Sequence, residues 1–303
     1  MKNLIVSFFV SLCFVVSAQE SIDLLTISSR LGVPSPYENR VVGKATEFGG
    51  MINLKIPVVL DSSNIWYSKL TYLNNRVVST KNFGDSVANP INIHGIMLQS
   101  GWVRKLSRNR SIQLLLVPRL MGDMVNVNSD NIQLGAVALY EKRFNSSLKM
   151  KFGAMYNQEM SGPFALPLID LDWKISDKWW IGGLLPVYSK IKYKFSENSN
   201  AGIGHFALMT SYRLGKEAYK NDYIERTCID VFSFFRQRVS GNFHLEGRVG
   251  YTLGRNYEQY NEGESVDFRL SLFSWGDNRT PINYSFKDNL YFNLRMVYNL
   301  PID

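Results

Sequence analysis

The stretch Asn289-Leu290-Tyr291-Phe292-Asn293-Leu294-Arg295-Met296-Val297-Tyr298-Asn299-Leu300 decides the fold. Leu290, Phe292, Leu294, Met296, Tyr298 and Leu300 hold one set of alternate positions, and Asn289, Tyr291, Asn293, Arg295, Val297 and Asn299 hold the other. Successive side chains of a β-strand point to opposite faces, so this segment has one apolar face and one mostly polar face. An amphipathic helix would bring its apolar residues back about every 3.6 positions, and these do not return that way.

The same two-residue period recurs upstream. In 148–159, Leu148, Met150, Phe152, Ala154 and Tyr156 oppose Lys149, Lys151, Asn157 and Glu159. In 243–253, Phe243, Leu245, Val249, Tyr251 and Leu253 oppose His244, Glu246, Arg248 and Thr252. Lys190, Lys192 and Lys194 alternate with Ile191, Tyr193 and Phe195, and Phe268, Leu270 and Leu272 with Asp267, Arg269 and Ser271. Many strands, apolar on one side and polar on the other, predict an antiparallel up-and-down transmembrane β-barrel, greasy toward lipid and polar toward the lumen. Fifteen candidate segments emerge, near 22–33, 46–60, 65–79, 91–106, 111–122, 131–143, 148–159, 166–176, 179–186, 188–195, 201–214, 223–238, 243–254, 267–275 and 289–300. Bacterial barrels normally have an even strand number, so about 12 strands are expected, within a range of about 10–14. The weakest segments are 22–33, the pair around Pro186, and 267–275.

Short turn-forming joints, such as Asp61-Ser62-Ser63-Asn64, alternate with longer polar loops, as outer-membrane barrels require. Trp66, Trp102, Trp173, Trp179 and Trp180 cluster near the short joints and are the candidate interface aromatics, since a ring with a polar edge suits the membrane–water boundary.

Residues 1–18 read as a secretion signal: Lys2 is their only charge, 4–16 are mostly apolar, and Val16-Ser17-Ala18 precedes Gln19. Residues 19–303 then form a single barrel domain, with no linker-like composition break. No later apolar run approaches the roughly 20 residues of a membrane helix. Removing Lys2 from the 34 Lys and Arg leaves 33 against 26 Asp and Glu, a net charge of +7. Of the two cysteines only Cys228 lies beyond the signal, so no intramolecular disulfide framework can form.

The paired strands across 166–195, with Leu185-Pro186 near their middle, and the closing strand that runs from Lys287-Asp288-Asn289-Leu290-Tyr291-Phe292 to Tyr298 resemble an uncharacterised family of Gram-negative outer-membrane β-barrel proteins, a domain of unknown function. The resemblance covers most of the mature chain and implies a fold, a location in the outer membrane, and outer-membrane lipid and the barrel-assembly machinery as partners. It transfers no catalytic residues. The chain ends Leu300-Pro301-Ile302-Asp303 where many such barrels end on an aromatic residue, and Tyr298 is the nearest equivalent.

Chemistry is sparse. His94, His205 and His244 fall in expected strands without metal-ligand spacing, and no phosphate loop, cysteine cluster or nucleophile elbow is present. No cofactor is implied. The clearer signal is charge on the polar faces. Lys149, Lys151, Lys190, Lys192, Lys194, Arg213, Arg248, Arg269 and Arg295 are candidate lumen cations, with His244 and Glu246 on the same faces. Lys55, Lys69, Arg119, Arg143, Lys174, Arg226 and Arg236 extend the basic set, and Glu141, Glu159, Asp170, Asp172, Asp230 and Asp267 oppose it. A wet lumen with this excess favours anions, whereas a packed one ties the charges together. The basic residues are spread over alternate positions and form no patch for nucleic acid. Three readings follow: an outer-membrane channel, transport or structural barrel with no enzymatic role; a barrel enzyme acting on lipid or envelope material; or a secreted soluble β-protein that binds a ligand.

Overall fold

Fourteen antiparallel strands hydrogen-bond in chain order and close on themselves. The computed structural model describes residues 21–301; the expected signal at 1–18 and the terminal Ile302-Asp303 lie outside the described residues. The wall strands are β1 Ser21–Gly32, β2 Lys44–Val59, β3 Asn64–Ser79, β4 Ile91–Ser107, β5 Arg110–Gly122, β6 Ile132–Arg143 and β7 Leu148–Glu159. They continue as β8 Gly162–Lys174, β9 Trp179–Leu185, β10 Tyr188–Lys194, β11 Ser199–Arg213, β12 Tyr223–Ser240, β13 Phe243–Tyr260 and β14 Leu290–Pro301. Closure is the β1–β14 seam, in register from Ser21↔Pro301 to Gly32↔Tyr291.

The expected count of twelve thus becomes fourteen. Every candidate segment except 267–275 is a wall strand, including both segments around Pro186. Residues 267–275 instead hold two three-residue strands, Phe268–Leu270 and Phe273–Trp275, which pair as a hairpin inside the β13–β14 loop.

The two faces of β14 behave as its alternation demands. Leu294 is 53% exposed and Phe292 49%, whereas Tyr291 and Val297 are almost wholly buried. Comparable outward rows run along β2 through Phe48, Ile52 and Ile56, and along β13 through Leu245, Val249 and Tyr251. Together they form the apolar belt that a lipid-facing barrel presents.

Joints at 60–63, 108–109, 144–147, 175–178, 195–198 and 241–242 lie at one end with both described termini. Side-chain turns set them. The Asp61 carboxylate accepts from the backbone N–H of Ser63 (2.7 Å) and of Asn64 (2.9 Å), and Asn145 accepts from Ser147 and Leu148. The Asn64 side-chain amide and these N–H groups hold the Asp61 carboxyl below its usual range. A carboxyl depressed in the folded state lends stability above its unfolded pKa and loses it as pH falls through the folded value. An NMR titration should therefore place Asp61 below an ordinary aspartate, and Asn64→Ala should move it back up. An unshifted Asp61 would show that the turn is not held this way.

At the opposite end, long loops (33–43, 80–90, 123–131, 214–222, 261–289) alternate with two tight ones, 160–161 and 186–187. The interior below this end is filled. Thr210, Ser211 and Tyr212 are consecutive and all nearly inaccessible, which a lipid-facing wall strand cannot achieve because every second residue would be outward. The upper part of β11 therefore leaves the wall and leans inward, bridging Arg213 to Gly122 at the top of β5. Glu159 on β7 anchors it, accepting from Thr210, from the Ser211 N–H and hydroxyl, and from Arg119 at 2.9 Å. The β12–β13 ladder slips between Thr227 and Ile229, beside Gly254, whose φ of +59° suits the bulge that re-aims both strands. Tyr212, Ile224 and Tyr257 then pack on Leu73, Ile93 and Met121, with Tyr37, Ala88 and Phe286 supplied by loops.

A basic vestibule as candidate functional site

Below the filled end lies a cavity of about 1300 Å³. Ser62, Ser63, Arg108, Asp177 and Lys178, all from the short joints or beside them, line its mouth, so it opens at that end. Among the described residues, none from the five long loops lines it. The space is a one-ended vestibule.

Its floor is a charged layer across the barrel. Glu47 on β2 accepts from Arg30 (3.0 Å), Arg226 (3.2 Å), Arg255 (3.4 Å) and the Tyr257 hydroxyl (2.5 Å). Arg30 also clasps Asp230, whose Oδ1 accepts from Thr252 at 2.8 Å. Arg30 holds Asp230 with two bonds while Glu47 takes one from each of three arginines, which is how charge survives away from water.

Eighteen of the lining residues are Lys or Arg and six are Asp or Glu, so the walls carry a large basic excess. On one side Glu246, wholly buried, is shared by four cations: Lys190 (2.9 Å), Arg236 (2.8 Å), Arg248 (2.7 Å) and Arg295 (2.6 Å). Arg236 is bound in addition by Asp23 at 2.9 Å. On the other side Lys149 pairs with Asp172 (3.2 Å), and Lys151 lies 3.8 Å from Glu141 and 3.7 Å from Asp170. Lys55 and Lys69 face each other directly across the β2–β3 ladder. Among the described residues neither has a carboxylate within ion-pairing distance. Like charges placed directly opposite destabilise a sheet, and among the described residues no ion pair relieves this one.

The expected lumen residues divide. Lys149, Lys151, Lys190, Lys192, Arg248 and Arg295 line the vestibule, and Glu246 stands behind them. Lys192 rests 4.8 Å over the Trp180 ring. Lys194 pairs with Glu197 at the rim, and His244 binds the Asn242 carbonyl (3.2 Å) near the same end. Arg213 sits at the far end, with Glu262 at 3.0 Å. Arg269 is not on a wall strand: it belongs to the loop hairpin and reaches Glu225 at 3.1 Å. Of the expected interface aromatics, Trp66, Trp173 and Trp179 are exposed, and Trp102 pairs in register with Trp66. Trp180 turns inward, one residue after Trp179, and donates to Asp172 at 2.8 Å. His205 pairs with Ser189 (2.7 Å), but its second ring nitrogen meets the Pro186 carbonyl, where a hydrolase triad would place a carboxylate.

Arg30, Glu47 and Arg255 escaped the reading of the sequence. Arg30 alternates with Ile27 and Leu31, so its inward direction was available from strand parity, but the segment carrying it ranked among the weakest.

Residues 18–299 match the family described as Domain of unknown function (DUF6268), and the chain belongs to that family. No curated protein matches its sequence. Among solved structures, the COG4313 outer membrane channel from Pseudomonas putida F1 is similar at 12% identity over 95% of this chain and 100% of its own, with a TM-score of 0.45. The NanC porin follows at 8% identity, 90% and 98% coverage and a TM-score of 0.35. A deltaS2 mutant of the TodX monoaromatic hydrocarbon channel gives 10%, 92%, 90% and 0.37.

Proposed function

We propose that this DUF6268 barrel spans the outer membrane with its short joints toward the periplasm, and that its vestibule receives an anionic ligand from that side. The orientation rests on the rule that periplasmic turns are short and outer loops long. The carrying observation is the Lys55–Lys69 pair inside a vestibule of one dominant sign of charge. A cleft lined by one sign within low-dielectric walls concentrates the opposite ion and strengthens its binding. The ligand class is a phosphate or carboxylate with more than one negative charge, because two lysines stand directly opposite each other in the lining.

Calorimetric titration of inorganic pyrophosphate into the mature protein, refolded in zwitterionic lipid nanodiscs, tests this. Lys55→Gln/Lys69→Gln should weaken uptake about tenfold, and the whole effect should shrink as salt is added. Wild-type protein that takes up no pyrophosphate, or a double variant that binds as wild type does, would end the proposal.

A further inference from the structure

The barrel wall has a notch. Strands β9 and β10 are seven residues each, between neighbours of 13 and 15. Their pairing stops at Leu185↔Ile169 on one side and Tyr188↔Phe206 on the other. Above the Pro186-Val187 tip, residues 162–168 of β8 and the inward-leaning end of β11 have no wall strand between them. The loop hairpin fills this space. Arg269 and Leu270 pair in parallel with Phe164 and Ala165, and single hydrogen bonds from Val266 to Ser161 (2.9 Å) and from Ser271 to Ala165 (3.0 Å) extend the seam.

The hairpin has two unlike faces. Phe268, Leu270, Phe273 and Trp275 are exposed and continue the apolar belt outward. Arg269 points in and, with Arg279, binds Glu225, a side chain on the outward face of β12, while Asp277 pairs with both arginines. This seam is thin and ionically latched. Behind it sit Phe164, Leu166, Leu168, Leu184, Val187 and Met209, an apolar cluster inside the barrel.

The vestibule comes up to the Pro186-Val187 tip from below, and none of these apolar residues lines it. Its lining includes Lys190 from the inner face of β10, and also Ser189 and His205, whose positions alternate with inward ones and belong to the outer face. The cavity therefore runs up to the last pairs of β9 and β10, next to the notch.

We propose that the notch is a lateral portal, and that vestibule and portal together bind an anionic amphiphile drawn from the bilayer. The charged head lies among the vestibule lysines and the chain lies against Phe164, Leu166, Leu168 and Met209. The hairpin is the removable part of the wall that admits it. The proposal rests on the anionic reading of the vestibule and adds the apolar chain and its route.

The test uses a 12-carbon alkyl phosphate with a diazirine at mid-chain, dissolved in nanodiscs that hold the refolded mature protein. Photolabelled residues are read by mass spectrometry. Wild-type protein should carry label on Leu166, Leu168 or Met209. Ala165→Cys/Leu270→Cys joins two residues in register, both outward, and leaves the buried Cys228 in place. Oxidation should lower inner labelling at least tenfold and reduction should restore it, while belt labelling on β14 stays constant. Arg269→Gln loosens the latch and should raise inner labelling. Label confined to the outer belt, or inner label indifferent to the disulfide, would overturn the portal. If pyrophosphate binds but inner label is missing, the vestibule reading stands and the portal falls. If inner label forms while pyrophosphate fails to bind, the anionic head is wrong, and this proposal falls with that reading.

Discussion

Replacing Glu246 by glutamine is expected to cost the fold about 3–5 kcal/mol, the loss seen when one partner of a buried ion pair is removed. The residue is wholly inaccessible and its two oxygens meet Lys190, Arg236, Arg248 and Arg295, all within 2.9 Å. Glutamine keeps the volume and one acceptor but removes the negative charge that, among the described residues, touches all four. Asp23 still neutralises part of Arg236 and leaves the other three exposed to one another. Their mutual repulsion acts across barrel walls of low dielectric, where charges interact far more strongly than in water. The vestibule offers them some solvent, which argues for the lower half of the range. Urea unfolding in phospholipid vesicles would measure the loss. A second variant, Glu246→Gln/Arg295→Gln, removes one repelling cation and should recover part of it, since residues in one network are not additive. A loss under about 1 kcal/mol for the single variant would mean that the cations are already relieved by solvent, and that Glu246 is not the keystone of this wall.

Most of the wall was legible in the chain because strand alternation is local: Leu294 and Asn293 declare their faces without knowledge of any partner. Even the weak segment 22–33 obeys it, and its Arg30 reaches the floor of the vestibule. What the alternation cannot convey is which strands leave the wall. Thr210, Ser211 and Tyr212 look like an ordinary strand end, but they have no wall neighbour above the β9–β10 tip and turn inward onto Glu159. The hairpin at 267–275 misled for the same reason. Its outward residues are as greasy as those of a wall strand because it takes the place of one, so period and composition were right while topology was not. Arg269 then had to be assigned to the wrong compartment. Charge pairing was legible in sign and illegible in partner: the excess of Lys and Arg was plain, but the Lys55–Lys69 juxtaposition depends on the β2–β3 register, which only the joint at 60–63 sets.

Arginine at position 294 and arginine at position 293 should separate the two faces of the closing strand. Leu294 lies on the outward row and is more than half exposed, near the middle of the 12 residues of β14. If that row meets hydrocarbon, Leu294→Arg places a guanidinium where it has neither water nor partner, at a cost of about 2–4 kcal/mol near the bilayer midplane. Snorkelling toward an interface shortens the penalty but cannot remove it from a central position. Asn293 opens instead into the vestibule, where it donates to the Ser29 carbonyl at 2.8 Å. An arginine there keeps access to solvent and suffers only the nearby Arg248 and Arg295, so its cost should stay near 1 kcal/mol or less. Folding yield and urea midpoint in vesicles would read both. Equal tolerance would contradict the assigned faces and with them the membrane-spanning barrel, because a soluble β-barrel has no reason to penalise a charge on its outer surface. A large penalty at 293 alone would invert the faces and place the basic residues toward lipid, which the burial of Val297 and Tyr291 on the same row as Asn293 argues against.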